Sequence, residues 1–445
     1  MNEVSWLGPQ SLALHLRRLL DYRVQLGYLL VLVLSAYFYL FQIPRFDYWD
    51  VVYYGSFVVN DDILDWKVLF LYLLDPVVES FMLVPKLVIL LSNFFGSAVY
   101  KVELGFSFLV FFSGYLALLK IFTLPLVPKG STALPDLIKL TIVFCFYWWP
   151  VSIPTYTNTW FSIQYSLTVT MGLWTVYFSS STHWSTKRGM LLMVCWIGSA
   201  LSHGTGLLLG LVLFFVLLMR QGARWLAFLI LFIMLAMLML SKGIYGDKIG
   251  ALDQIAWSSL ATWNYLIRII TPSFWEKLLF VLFIVPCVFL GLLSLVQNPR
   301  KFFNTPPNLL IAWGMVVWFA TFITRAGDQI HGNPHYFKFY VVVYIAWLIT
   351  LVDMRYVVRA VSSKKTAMVA VILLAVIWIK GVENGVVSAR NFYIDNQKGY
   401  RALIQEQTVE MGDILLLYPN KRLTEKIVPR LKSYPLYSYT ETLRN

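Results

Sequence analysis

The 445-residue chain is 59% hydrophobic and 13% charged, with a net charge of +13 and a mean hydropathy of +0.68; soluble domains carry about half apolar and about a quarter charged residues. This balance excludes a soluble globular protein. The basic excess lies largely in short connections between apolar runs, where it acts as topological bias and attraction to anionic headgroups, so it gives no ground for a nucleic-acid partner.

Apolar runs fall at residues 25–42, 102–124, 138–153, 163–179, 189–201, 205–219, 225–241, 278–297, 308–323, 337–352 and 366–381. Several are shorter than the roughly 20 residues that cross hydrocarbon, and together they predict an all-α polytopic membrane protein with about eleven transmembrane helices. The first run follows Arg17, Arg18 and Arg23 and has no small-residue cleavage site behind it, so it is expected to stay as an anchor. Cys145, Cys195 and Cys287 lie inside apolar runs without CxxC spacing, as small core residues do.

Basic residues orient the chain. With the N-terminus in the cytoplasm, the inner connections hold Lys129, then Lys187 and Arg188, Arg220 and Arg224, Arg300 and Lys301, and finally Arg355, Arg359, Lys364 and Lys365. The expected organisation is a transmembrane domain over 1–381, with a first extracytoplasmic loop at about 43–101, and an extracytoplasmic C-terminal segment over 382–445, partly helical from about 396 to 409.

Three outer regions are longer or more polar than a connection requires: 43–101, 242–277 and 324–338. In the first, Asp47 and Asp50 follow the first run beside Tyr48 and Trp49. At spacing three they fit one face of a helical turn, where burial raises one carboxyl toward a usable base; a solvated acidic loop is the plainer reading. Further on, Phe81, Val84, Leu87, Val88 and Leu91 recur at helical spacing around Lys86, which predicts a helix lying in the membrane interface. Between the fifth and sixth runs, "SALSHGTGLLLG" predicts a tight helical hairpin with His203 as a satisfied buried histidine.

The third region, "TRAGDQIHGNPHYFKFY", gathers Arg325, Asp328, His331, His335 and Lys338. Positioned cations suit a phosphate leaving group. Metal binding by two His and one Asp needs a further ligand, and an ordinary polar loop with Arg325 and Lys338 snorkelling to headgroups stands beside both.

The order of "FDYWD" at 46–50, "ESFMLVPKLVILLSNFFG" at 79–96, "NTWFSIQYSL" at 158–167, "SHGTGLLL" at 202–209, "TRAG" with "NPHYFKFY" at 324–340, and "ILLLYPNKRLTEKIVPRLKSYPLYSY" at 414–439 resembles the multispanning glycosyltransferases of the GT-C superfamily. The likeness is greatest to bacterial members laid out like the O-antigen-modifying glucosyltransferases. It implies transfer of a sugar from a polyprenyl-phosphate-linked donor to a hydroxyl of a glycan or lipid acceptor, on the extracytoplasmic face of the bacterial inner membrane and with inversion. It further implies Asp47 as general base, with Asp50 next; Arg325, His335 and Lys338 on the lipid phosphate; and Glu79, Lys86 and Gln164 lining the cavity. Where Lys86 and His335 stand the family pattern has Arg. No cofactor follows, and a divalent metal is left open. Two other readings remain: a flippase or transporter of lipid-linked sugars, which wants charges at mid-bilayer, and an O-antigen polymerase, which centres on a late Arg-rich loop.

Overall fold

The computed structural model describes residues 9–40, 59–60, 63–64, 66–74, 82–92, 95, 98–129, 132–149, 153–157, 159–180, 184–240, 292–293, 295–325, 337–353 and 364–404. These residues form helices and their connecting turns, apart from one antiparallel pair, β1 (Val59–Asn60) with β2 (Ile63–Leu64), in which Val59 faces Leu64. The helices are α1 (Pro9–Leu19), α2 (Tyr22–Phe38), α3 (Trp66–Leu74), α4 (Leu83–Ser92), α5 (Val99–Ile121), α6 (Leu134–Tyr147), α7 (Ile153–Thr157), α8 (Thr159–Ser179), α9 (Thr186–Ala200) and α10 (Gly204–Leu218). After a short 3-10 turn at Gln221–Ala223 come α11 (Arg224–Leu240), α12 (Pro299–Asn304), α13 (Pro306–Arg325), α14 (Phe337–Asp353) and α15 (Lys364–Ile404).

Ten of the eleven apolar runs coincide with helices among these; most of the run at 278–297 and the region 242–277 lie outside the described residues. The helix α5 is long and apolar enough to cross a membrane, and α1 with α2, bent by 50°, passes the same test as one broken span. Outward faces are strongly apolar: Val31 on α2, Leu109 on α5, Val194 on α9 and Phe232 on α11 are exposed. Exposed apolar faces of this kind are compatible with a membrane environment.

Local chemistry sets the helix ends. Asp21 caps α2 by accepting the Arg23 N–H, Ser185 caps α9, and Asn298 caps α12 just before Pro299 at its first position. The run expected to continue to residue 153 stops at Tyr147, and Pro150 and Pro154 follow, residues that break a helix ladder. Tyr147 donates to the Phe111 carbonyl, halfway along α5, at 2.9 Å. Beyond it Trp148, Trp149 and Tyr156 of α7 are buried, and the Tyr156 ring lies 4.7 Å from that of Phe108.

Contacts give each helix a direction. Thr170 Oγ1 donates to the Val110 carbonyl and Trp174 Nε1 to Ser113 Oγ, at separations of 60 and 61 residues, so α5 and α8 run parallel. Ser199 Oγ bonds the Thr168 carbonyl at 2.9 Å and fixes α9 antiparallel to α8. Lys101, at the start of α5, lies 5.7 Å from the ring of Tyr37 at the end of α2. Tyr28 meets Trp378, and Phe38 meets Tyr393, so α15 climbs beside α2. Phe303 stacks on Phe215 near the end of α10, whereas Trp313 donates to the Thr205 carbonyl at its start, so α13 rises antiparallel to α10. Lys139 of α6 pairs with Asp353 at the end of α14.

One end of the bundle therefore gathers the last turns of α2, α9 and α13 and the first turns of α5, α8, α10 and α14. Residues 41–58, 326–336 and 405–445 all connect at this end. Arg17, Lys120, Lys129, Lys139, Lys187, Arg188, Arg220, Arg224 and Lys301 belong to the opposite end.

Two expectations need correction. Arg325 and Lys338 are not loop residues: Arg325 closes α13 and Lys338 is the second residue of α14, because the apolar periodicity of both runs carries the helices into the polar segment. The helix expected from 396 is not separate either, since α15 runs 41 residues without a break through 381 and 382 as far as Ile404.

Candidate functional site

A polar layer is buried where α4, α5 and α8 meet, each of the three touching the other two. Lys86 of α4 is 1% exposed and Glu103 of α5 is 0% exposed. Gln164 of α8 is buried with them, and the parallel register of α5 and α8 sets it level with Glu103. Charges are seldom buried unless paired or hydrogen-bonded, so each needs an account of its surroundings.

The Lys86 ammonium donates to the Tyr72 carbonyl at 2.5 Å and lies 4.7 Å from the centroid of the same tyrosine's ring. That clamp ties α3 to α4, and burial pushes the Tyr72 phenol above its usual range, keeping it neutral. The buried face of α4 is Pro85, Lys86, Ile89 and Ser92, while Leu91 is exposed and Val84, Leu87 and Val88 are half-buried. The apolar stripe expected around Lys86 is thus split, Val84 and Val88 packing against the core and Leu91 facing outward, while the lysine points in. Ser92 closes the layer by donating to Glu103 Oε1 at 2.7 Å.

Beneath α4 lies the turn between α9 and α10, reached by a bond from the Val84 N–H to the Leu201 carbonyl at 3.3 Å. His203 caps α10, its Nδ1 accepting the Thr205 N–H at 3.1 Å, and its ring stands 5.3 Å from that of Tyr165. The turn is tight because residue 206 is glycine: a Cβ there would collide with the Ser199 carbonyl. The expected hairpin and the satisfied buried histidine are both present.

Several oxygens in and beside the layer, Gln164 Oε1, Ser162 Oγ, Ser107 Oγ and Thr155 Oγ1, meet no hydrogen-bond partner among the described residues. Buried polar atoms are nearly always bonded, so such a group calls for a ligand or a function. With one ammonium, one carboxylate and an amide, the layer offers donors and acceptors suited to hydroxyl-rich or phosphorylated molecules.

Of the predicted site residues, Lys86 and Gln164 are both buried, on helices α4 and α8 that pack against each other. Asp47, Asp50, Glu79 and His335 lie outside the described residues, as do Trp49, Asp328 and His331. The helix ends bearing Arg325 and Lys338 are at the same end of the bundle as the layer. Glu103 went unnoticed, although a lone carboxylate inside an apolar helix is itself a signal. Among the described residues no three His, Cys, Asp or Glu converge as metal ligands. Cys145 and Cys195 carry free thiols at half-buried positions. No family model, no curated protein and no solved structure matches the chain.

Proposed function

We propose that the chain is a multispanning membrane glycosyltransferase of the GT-C kind, using a polyprenyl-phosphate-linked sugar and a glycan or lipid acceptor on the extracytoplasmic face. The observation that carries this reading is the buried layer of Lys86, Glu103 and Gln164, set at the one end of the bundle from which the acidic and cationic segments both leave. A one-sided enzyme gathers its polar groups in this way. Glu103 lies about one turn from the start of α5 rather than at its middle, which favours the enzyme over a transporter with charges at mid-bilayer. The irregular stretch around Trp148 is enclosed by protein, as backbone at membrane depth has to be.

In the proposed reaction the acceptor hydroxyl gives its proton to the Asp47 carboxylate, and its oxygen forms a bond to the anomeric carbon on the face opposite the phosphate. The bond from that carbon to the phosphate oxygen breaks, and the electron pair leaves with the lipid phosphate. Arg325 neutralises it bidentately while His335 and Lys338 add single contacts. Lys86 and Gln164 line the sugar side of the cavity.

The test is transfer by the purified protein from a synthetic polyprenyl-phosphate sugar, with the product's anomeric configuration read by NMR. Inverted product is expected, and Asp47→Asn should lower turnover by about two to four orders of magnitude at unchanged protein level. Near-normal activity of both Asp47→Asn and Asp50→Asn removes the acidic-loop mechanism. For topology, a reporter active only outside the cytoplasm should work when fused after Ile404; inactivity there, with activity after Arg300, reverses the orientation.

A further inference from the structure

The end of the bundle opposite the polar layer holds a second cluster. Lys120 lies in the last turn of α5, Arg188 in the first turn of α9, and Arg220 in the turn that leads to α11. Lys120 Nζ stands 5.1 Å from the ring centroid of Trp174 and 5.6 Å from that of Tyr177, and the Arg188 guanidinium carbon is 5.9 Å from the same Tyr177 centroid. Two cations thus share one aromatic ring. The Arg220 turn lies beside them, since a side-chain carbon added at Gly222 or Gly189 would meet Trp184, and one at Gly189 would also meet Leu226 of α11. The Arg220 guanidinium is half-buried, and burial first, then the charge of Arg188, lowers its pKa, as expected of neighbouring like charges. Clustered cations make this end attractive to an anion. The first turns of α9 and α11, helices of 15 and 17 residues, add their positive dipole ends.

Exposed apolar rows start beside these cations. Met190 and Val194 on α9, and Trp225, Phe228 and Phe232 on α11, follow helical spacing away from the charged end. A free inorganic anion has no use for such rows, whereas acyl chains do. We propose that Lys120, Arg188 and Arg220 hold the phosphate of an anionic phospholipid whose chains lie along these rows. This site is separate from the transfer reaction and requires only that the helices lie in a bilayer.

The full-length protein in phosphatidylcholine nanodiscs, given phosphatidylglycerol, inorganic phosphate alone or more phosphatidylcholine, provides the test by native mass spectrometry and thermal midpoint. The parent is expected to retain phosphatidylglycerol about tenfold better than phosphatidylcholine, and R188Q/R220Q to lose that preference. K120Q, at an exposed position where little effect on folding is expected, should lose part of it and carries the test if the double variant does not fold. Retention of both lipids alike by the parent, or an undiminished preference in K120Q and the double variant, overturns the site. A midpoint shift from inorganic phosphate as large as that from phosphatidylglycerol overturns the lipid as its occupant. Sugar transfer has no part in these readouts, so the two proposals fail separately.

Discussion

Lys86 and Lys120 belong to opposite ends of the bundle and to opposite circumstances. Lys86 is 1% exposed, clamped to the Tyr72 carbonyl in a layer that also encloses a carboxylate and an amide. Lys120 is exposed at the rim of two aromatic rings, with its ammonium open to solvent or headgroups. Placing a lysine at the rim costs little, whereas burying one costs desolvation that well-packed apolar residues would avoid. Stability alone therefore accounts for Lys120 and does not account for Lys86. The buried layer is where fold and activity are expected to come apart under mutation, and the rim is where they are not.

That contrast is best broken at Lys86. Lys86→Met keeps the volume and removes the ammonium; sugar transfer should fall by about two orders of magnitude, while stability in a denaturation series should hold within about 1 kcal/mol, the lost hydrogen bond being offset by the desolvation no longer incurred. Activity left at the parent level would make Lys86 a structural clamp alone. A sharper separation comes from Gln164→Leu, which deletes an amide whose Oε1 has no partner among the described residues. Its stability should hold or rise by about 1 kcal/mol while transfer drops at least about tenfold. Loss of both together would mean that the amide serves packing.

Gly206→Ala probes the turn beneath the layer. It should destabilise by about 1–3 kcal/mol through the collision with Ser199, with loss of activity only in proportion to loss of folded protein. The smallest effect is expected at Lys120→Gln, where melting in neutral lipid should stay within about 0.5 kcal/mol and transfer should be unchanged. A large loss of transfer there would erase the distinction between the two ends.

Helix positions were legible because apolar runs of helical length bounded by Ser, Asp, Asn or Pro leave few alternatives, and α9, α10 and α11 begin within a few residues of where they were expected. The stop at Tyr147 was less so: its prolines come three and seven residues later, and an apolar average runs straight through them. Lys86 and Gln164 follow from a family likeness, but their burial on neighbouring helices depends on α4 folding back over the α9–α10 turn, a contact between distant segments that no local pattern encodes. The facing of α4 was hidden for a related reason. Its apolar stripe suits lipid and protein alike, and only the Tyr72 and Glu103 contacts on neighbouring helices decide that Lys86 turns inward.

The unbroken α15 has a consequence for whatever follows it. Its 41 residues make a rod about 60 Å long, and Tyr393 is the last point at which it leans on α2 through Phe38 and Tyr39. Past that point the helix alone fixes the height and heading at which the chain leaves Ile404, as a screw sets those of its head. One residue inserted between Tyr393 and Ile404 swings the tail by about 100° and lifts it by about 1.5 Å, whereas seven return it to within about 20° of its heading while raising it by about 10 Å. Length changes in this stretch are tolerated by their phase rather than by their size.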